Sequence, residues 1–192
     1  MGEKKLDGAG LRGQVAGKTA LSTVGKEGKG LTYRGFAIEE LAEKASFEEV
    51  AYMLLYGNLP NQAEYDSYSA KLKSYRALPV ELKEVLERIP ASAHPMDVMR
   101  TGCSMLGNLE PEGDFSNQND TADRILASFA SIITYWYRYS HDGVRVVTET
   151  EHATIGGHFL SLLTGQEPSE DHARALDLSL IHISEPTRPS TI

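Results

Sequence analysis

Two glycine-rich patterns, six histidines and a single cysteine are the places where this sequence could do chemistry. Gly8-Ala9-Gly10-Leu11-Arg12-Gly13 has the letters of a dinucleotide-binding turn, in which bare backbone lets a helix N-terminus approach a pyrophosphate. That geometry needs a buried strand in front of it, and MGEKKLD is not one, so the pattern is read as a loop. Gly17-Lys18-Thr19 has the ending of a phosphate-binding loop. The glycine required five places earlier is replaced by Arg12, however, and a strand-like segment follows where a helix should.

The histidines are no more promising as chemistry. His152 and His158 stand six apart, which does not stack them on one helical face, and HExxH is absent, so no metal site is expected. His94 directly precedes Pro95 and fits a helix entry; His141 sits beside Asp142 after a helix end, where the two could form a capping pair. Cys103 falls between Met99 and Leu106 on an apolar stripe and is read as a buried, inert thiol. A Ser/His/Asp triad drawn from distant positions stays open, but nothing points to one. On residue types alone no catalytic or metal-binding residue is assigned.

The elements that would position these groups are mostly helical. Two β-like segments, Thr19–Val24 and Leu31–Phe36, flank GKEGKG, whose glycines suit a hairpin turn. Phe47, Val50, Ala51, Leu54 and Leu55 then follow a helical period, with Ser46 as N-cap and Gly57 as the stop. Tyr65, Tyr68, Leu72 and Tyr75 mark a second helix, and Leu82, Val85, Leu86 and Ile89 a third between Pro79 and Pro90. Pro95 opens a helix with Met96, Met99, Cys103 and Leu106 as its expected buried stripe. After the polar loop EPEGDFSNQND, the stretch around 121–139 is apolar almost all round (Ile125, Leu126, Phe129, Ile132, Ile133, Trp136), which predicts a central or subunit-contact helix. Helices at about 152–163, stopped by Gly165, and at 170–181 complete the pattern. The fold class is mostly α with a small N-terminal β-hairpin.

Composition is that of an average globular chain: 41% apolar and 24% charged residues exclude disorder throughout. One cysteine cannot build a disulfide framework and fits a reducing compartment. No apolar run is long enough to span a membrane, and the first residues lack the apolar core of a signal peptide, so a soluble, cytoplasmic protein is expected. Residues 1–44 carry eight Lys/Arg against six Asp/Glu, whereas the rest carry eleven against twenty-one. Such an acidic body repels a phosphate backbone, so nucleic-acid binding is not expected.

Several segments taken together resemble the citrate synthase family: TALSTVGKEGKGLTYRGFAIEELA, FEEVAYMLLYGNLP, HPMDVMRT, and ADRILASFASIITYWYRY followed by IGGHFLSLLTG. Tyr33-Arg34-Gly35-Phe36, the L-L-x-G-x-L-P run at Leu54–Pro60 and His94-Pro95-Met96-Asp97 stand in the family's order and spacing. Within the family the likeness is nearest to bacterial 2-methylcitrate synthases. It runs from about Leu6 to Ile181 but matches only the first half of a family member, so the chain reads as a truncated, citrate-synthase-like large domain. The implied organisation is an N-terminal arm (1–18), the hairpin (19–36), the helical part of the large domain (37–181) and a non-native-looking tail (182–192).

The resemblance implies homodimers that condense an acyl-CoA, propionyl-CoA or acetyl-CoA, with oxaloacetate, using an Asp, two His and carboxylate-clamping Arg residues, without a metal or a permanently bound cofactor; the CoA thioester is a co-substrate. Those residues belong to segments beyond the match. The first substrate histidine should follow the helix at 170–181, but Glu185 there is followed by Pro186, and His182 is out of register. The chain as written is therefore expected to be inactive. The resemblance carries one position over: Gly10-Leu11-Arg12-Gly13 resembles a turn whose arginine contacts CoA phosphates, although a solvated loop arginine fits as well. Two alternatives stay open: a fragment of an acetyl-CoA-using citrate synthase, and a non-enzymatic helical interaction or regulatory subunit. The apolar helices would serve self-association in each case.

Overall fold

The computed structural model describes residues 17–23 and 30–183, with side chains through Ile181. Three two-residue strands, β1 (Ser22–Thr23), β2 (Thr32–Tyr33) and β3 (Phe36–Ala37), form an antiparallel meander in sequence order. Tyr33 lies opposite Ser22 on one side and Phe36 on the other. The expected single hairpin at 19–36 thus becomes two, because Arg34 and Gly35 both take positive φ (46° and 93°) and fold Leu31–Phe36 back on itself. A two-residue loop of that hand matches the twist of the flanking strands. Arg34 is held there by its guanidinium, which donates to the Leu54 carbonyl at 2.8 Å. The turn at 24–29 lies outside the described residues.

Helices make up the rest: α1 (Ile38–Lys44), α2 (Phe47–Tyr56), α3 (Gln62–Ser74), α4 (Val80–Glu87), α5 (Pro95–Leu109), α6 (Gln118–Asp142), α7 (Ile155–Thr164) and α8 (Glu170–Ile183). A 3-10 turn, Phe115–Asn117, leads into α6. α2 has the expected ends: Ser46 accepts from the Glu49 N–H, Glu49 reaches back to the Ser46 N–H at 2.7 Å, and Gly57 closes the helix at φ 106°. His94 enters α5 as expected, its Nδ1 accepting from the Met96 N–H. α8 runs two residues beyond the expected end at 181. Among the described residues no helix is long and apolar enough to cross a membrane.

α6 is the spine, packing against α3, α4, α5 and α7. Its place agrees with the reading of 121–139 as a central helix, but its inner face holds mostly small and polar side chains. Ile132 and Trp136 are buried, but Phe129 is 38% exposed, and Ala127, Ser128, Ala130, Ser131, Thr134 and Tyr135 fill the interior instead. Small residues there let four helices close on one axis. The stripe on α5 is also displaced. Val98, Gly102 and Leu106 face inward, Met96 is 68% exposed, and Cys103 is half-buried at a surface cleft. One apolar cluster joins α4, α5 and α6 around Leu82, Leu86, Val98 and Trp136; a second joins the meander, α1, α2 and Ile181; a third joins α3, α6 and α7 around Tyr68, Leu72, Ala127 and Ile155.

Gly102 explains why α5 turns that face inward. A Cβ there would stand 2.5 Å from Ile132 Cγ2, and the β-branched Ile132 is fully buried with little freedom to yield. Gly102→Ala is expected to cost about 1–3 kcal/mol in urea unfolding, as overpacking does, and distinctly less in an Ile132→Ala background.

Candidate functional site

Besides Glu87, which accepts from the Tyr135 hydroxyl and from Arg145 at 2.7 Å, the described residues hold two groups of converging polar side chains. The first lies inside the protein where α2, α3, α7 and α8 meet. Glu48, Arg76, His158 and Asp177 are all buried. Glu48 Oε1 accepts from the Ile155 N–H at 2.7 Å, Asp177 Oδ1 from the Gly156 N–H at 3.1 Å, and Thr154 Oγ1 from the Gly157 N–H at 3.0 Å. The first three donors of α7 are thereby satisfied by three different segments. Arg76, just past α3, donates to the carbonyls of Thr150, His152 and Thr154 at 2.9, 2.7 and 3.3 Å, which fixes the extended approach to α7.

The protonation states follow from that burial. Burial pushes the Glu48 carboxyl up to about 7, against the opposing pull of the Ile155 N–H and Arg76. Asp177 is raised, again chiefly by burial. His158 is pushed down to about 3 by burial and by nearby Arg76 and His152, so the ring is neutral at pH 7. Ser131 Oγ lies 3.0 Å from its Nε2 and Thr150 Oγ1 2.9 Å from its Nδ1, so both ring nitrogens are engaged. These are the perturbed groups that active sites also display, but here they bind backbone amides and neighbouring hydroxyls, and no lining of a described cleft includes them.

The second group faces outward. Asp123, fully buried on α6, accepts from the Tyr56 hydroxyl at 2.5 Å, the Tyr68 hydroxyl at 2.9 Å and Lys71 Nζ at 2.7 Å. Lys71 also pairs with Asp120. Tyr52 stacks on Tyr56 at 4.7 Å and meets Tyr68 edge-on. Tyr52, Tyr56, Tyr68 and Lys71 wall an open cleft of about 430 Å³. Around the corner, Tyr75, Cys103, Glu110 and Arg124 line another of about 250 Å³. Arg124 is already spent there, with Nε and Nη2 on Glu110 and Nη1 on the Tyr75 carbonyl. Neither cleft presents a base beside a free nucleophile.

Of the residues singled out from sequence, Arg12 and the glycine pattern Gly8–Gly13 lie outside the described residues, as do Glu185 and Pro186, whereas Gly17-Lys18-Thr19 is exposed and belongs to no helix. His182 falls within α8. His141 does not pair with Asp142, because Asp142 is taken by Arg138 at 2.8 Å while His141 stacks on Tyr137 at 4.4 Å. Among the described residues no group of three or more His, Cys, Asp or Glu could hold a metal ion. The sequence reading missed Glu48, Arg76, Asp123 and Asp177. Asp123 alone carried a signal, as an acid inside an otherwise apolar helix.

A family model described as "Citrate synthase, C-terminal domain" matches residues 10–187. A 2-methylcitrate synthase of Shewanella oneidensis is 65% identical over 182 residues, which are 95% of this chain and 48% of that protein. A citrate synthase of Acidithiobacillus ferridurans is 32% identical over 188 residues, covering 93% of this chain and 48% of that one. The crystal structure of citrate synthase from Pyrobaculum aerophilum superposes with a TM-score of 0.84 at 30% identity, over 91% of this chain and 46% of that chain. The chain spans about half the length of the curated relatives it matches.

The outward cluster gives a direct test of what Asp123 contributes. Asp123→Asn is expected to lower stability by about 1–3 kcal/mol in urea unfolding, toward the low end because Lys71 keeps Asp120 as a partner.

Proposed function

The chain belongs to the citrate synthase family, and from that premise we propose that it is part of a condensing enzyme of the 2-methylcitrate synthase kind, which joins propionyl-CoA to oxaloacetate and releases 2-methylcitrate and CoA. The observation that carries this reading is the identity to the Shewanella 2-methylcitrate synthase, about twice that to the Acidithiobacillus citrate synthase over nearly the same residues. In this reading the present half supplies architecture. Glu48, Asp177 and His158 are committed to holding α7 and Asp123 to Tyr56, Tyr68 and Lys71, so proton abstraction next to the thioester and polarisation of the oxaloacetate ketone fall to residues outside the match. Arg12 is the one position proposed to touch CoA, through its phosphates. We place the enzyme in the cytoplasm and read 182–192 as foreign to the condensing enzyme.

Self-association belongs to the same reading. Phe129, Ile133 and Tyr137 stand four apart on α6, with Phe129 and Tyr137 exposed and Ile133 half-buried, and Met96 is exposed on neighbouring α5. Such a stripe, turned away from the core, suits a second copy of the helix pair. Phe129→Glu is expected to shift the chain toward monomer in sedimentation; an unchanged mass distribution would place any contact elsewhere.

Thiol release from propionyl-CoA with oxaloacetate should stay at background for this chain alone. Turnover would show that it carries its own catalytic groups. Joined to the remaining half of the Shewanella relative, it is expected to release CoA, and faster from propionyl-CoA than from acetyl-CoA. A preference for acetyl-CoA would favour the citrate synthase alternative. A folded fusion inert with both would leave the interaction-subunit reading standing.

A further inference from the structure

Glu48 is placed unlike the other acids among the described residues. One oxygen holds the first amide of α7, while Oε2 is buried without a hydrogen-bond partner. Asp177 holds the very next amide, so two carboxyl groups meet at one helix end that offers only about half a positive charge. Arg76 faces them from the end of α3, yet Nη1 and Nη2 are spent on the carbonyls of Thr150, His152 and Thr154. The remaining charged or titratable neighbours are Tyr65 and Tyr68 of α3, Arg174 of α8, Glu151 and His152 before α7, and His158 within it. With both carboxyls ionised, two negative charges would share the interior with a single guanidinium, of which only Nε is left without a hydrogen-bond partner.

We propose that Glu48 is a proton-dependent latch: with a proton on Oε2 it docks α2 on the first turn of α7, and loss of that proton loosens the contact. Burial of the group and the neighbouring Asp177 outweigh the Ile155 N–H and Arg76, and raise the carboxyl from 4.5 to about 7. The sign follows by linkage. The closed form binds a proton that the open form releases between those two values, so the closing free energy is full at low pH and is lost as pH rises through about 7. His158 runs the other way: its closed form is neutral, so its contribution is lost as pH falls below the ordinary value of 6.5. The two partly cancel in the native chain, which is why Glu48 is best read against a variant.

E48Q keeps an acceptor for the Ile155 N–H and has nothing to titrate. Amide exchange at Ile155 and Gly156, divided by the E48Q rate at the same pH, is expected to rise roughly tenfold per pH unit between about pH 5 and 7 and then level off. A ratio that stays constant would overturn the latch. In the unaltered chain, the carbon-13 signal of the Glu48 carboxyl is expected to titrate near 7. A midpoint in the ordinary carboxylate range overturns the proposal even if E48Q fails to fold.

Discussion

The first N–H groups of α7 point into the protein, where water cannot reach them, and this requirement organises what lies around them. A helix leaves its first four donors without partners inside itself. Here Glu48 comes from α2, Asp177 from α8 and Thr154 from the approach loop to satisfy three of them. Breaking such a buried contact typically costs about 1–3 kcal/mol, because the donor left behind is unsatisfied. Four segments are thereby fixed in mutual register by a handful of hydrogen bonds, while the apolar clusters on either side supply the non-directional driving force.

The same requirement is met at the opposite helix poles by arginines that come from other elements. Arg174 of α8 donates to the carbonyls of Ala42 and Ala45 at the end of α1; Arg34 reaches Leu54 at the end of α2. Arg124 of α6 binds the Tyr75 carbonyl that closes α3, and Arg138 of α6 donates to Leu163 at the end of α7 at 2.7 Å. Neither α2 nor α7 has a basic residue in its own last turn, so the cation has to be imported. A guanidinium suits the task, being long, always charged and forked. Helix–helix packing and helix capping therefore become one operation, and α6, which supplies two of these arginines, is both spine and cap.

This explains which parts of the fold could be read in the sequence. α2 was legible because its signals are local: Ser46, Glu49 and Gly57 form their bonds within a few residues of one another. Glu48, one residue from Glu49, is chemically the same and sits beside it, yet its partner lies 107 residues away. Nothing in the spacing distinguishes the glutamate that caps its own helix from the one that caps another. On α5 the stripes Met96–Met99–Cys103–Leu106 and Val98–Gly102–Leu106 share Leu106, and both have helical spacing. The second is buried because a glycine admits Ile132, a fact about the facing helix. The Arg34–Gly35 turn was hidden for a different reason: an arginine with positive φ is uncommon, and it is sustained here by a carbonyl twenty residues away.

The candidate sites divide along the same line. A buried carboxyl with a raised proton affinity beside a buried neutral histidine is a combination that often marks catalysis. The hydrogen-bond accounting points elsewhere for His158, because a hydroxyl occupies each ring nitrogen and neither is left to receive a substrate proton. It also constrains Glu48, whose free oxygen opens onto packed protein rather than a cleft. The outward clefts have the reverse condition: space in which the cations Lys71 and Arg124 are both paired and Cys103 stands as a lone free thiol. Room and a set of cooperating reactive groups are thus separated among the described residues of this chain. A reaction carried out on it would need groups brought to the clefts from another segment, whereas the interior acids already act on the fold itself.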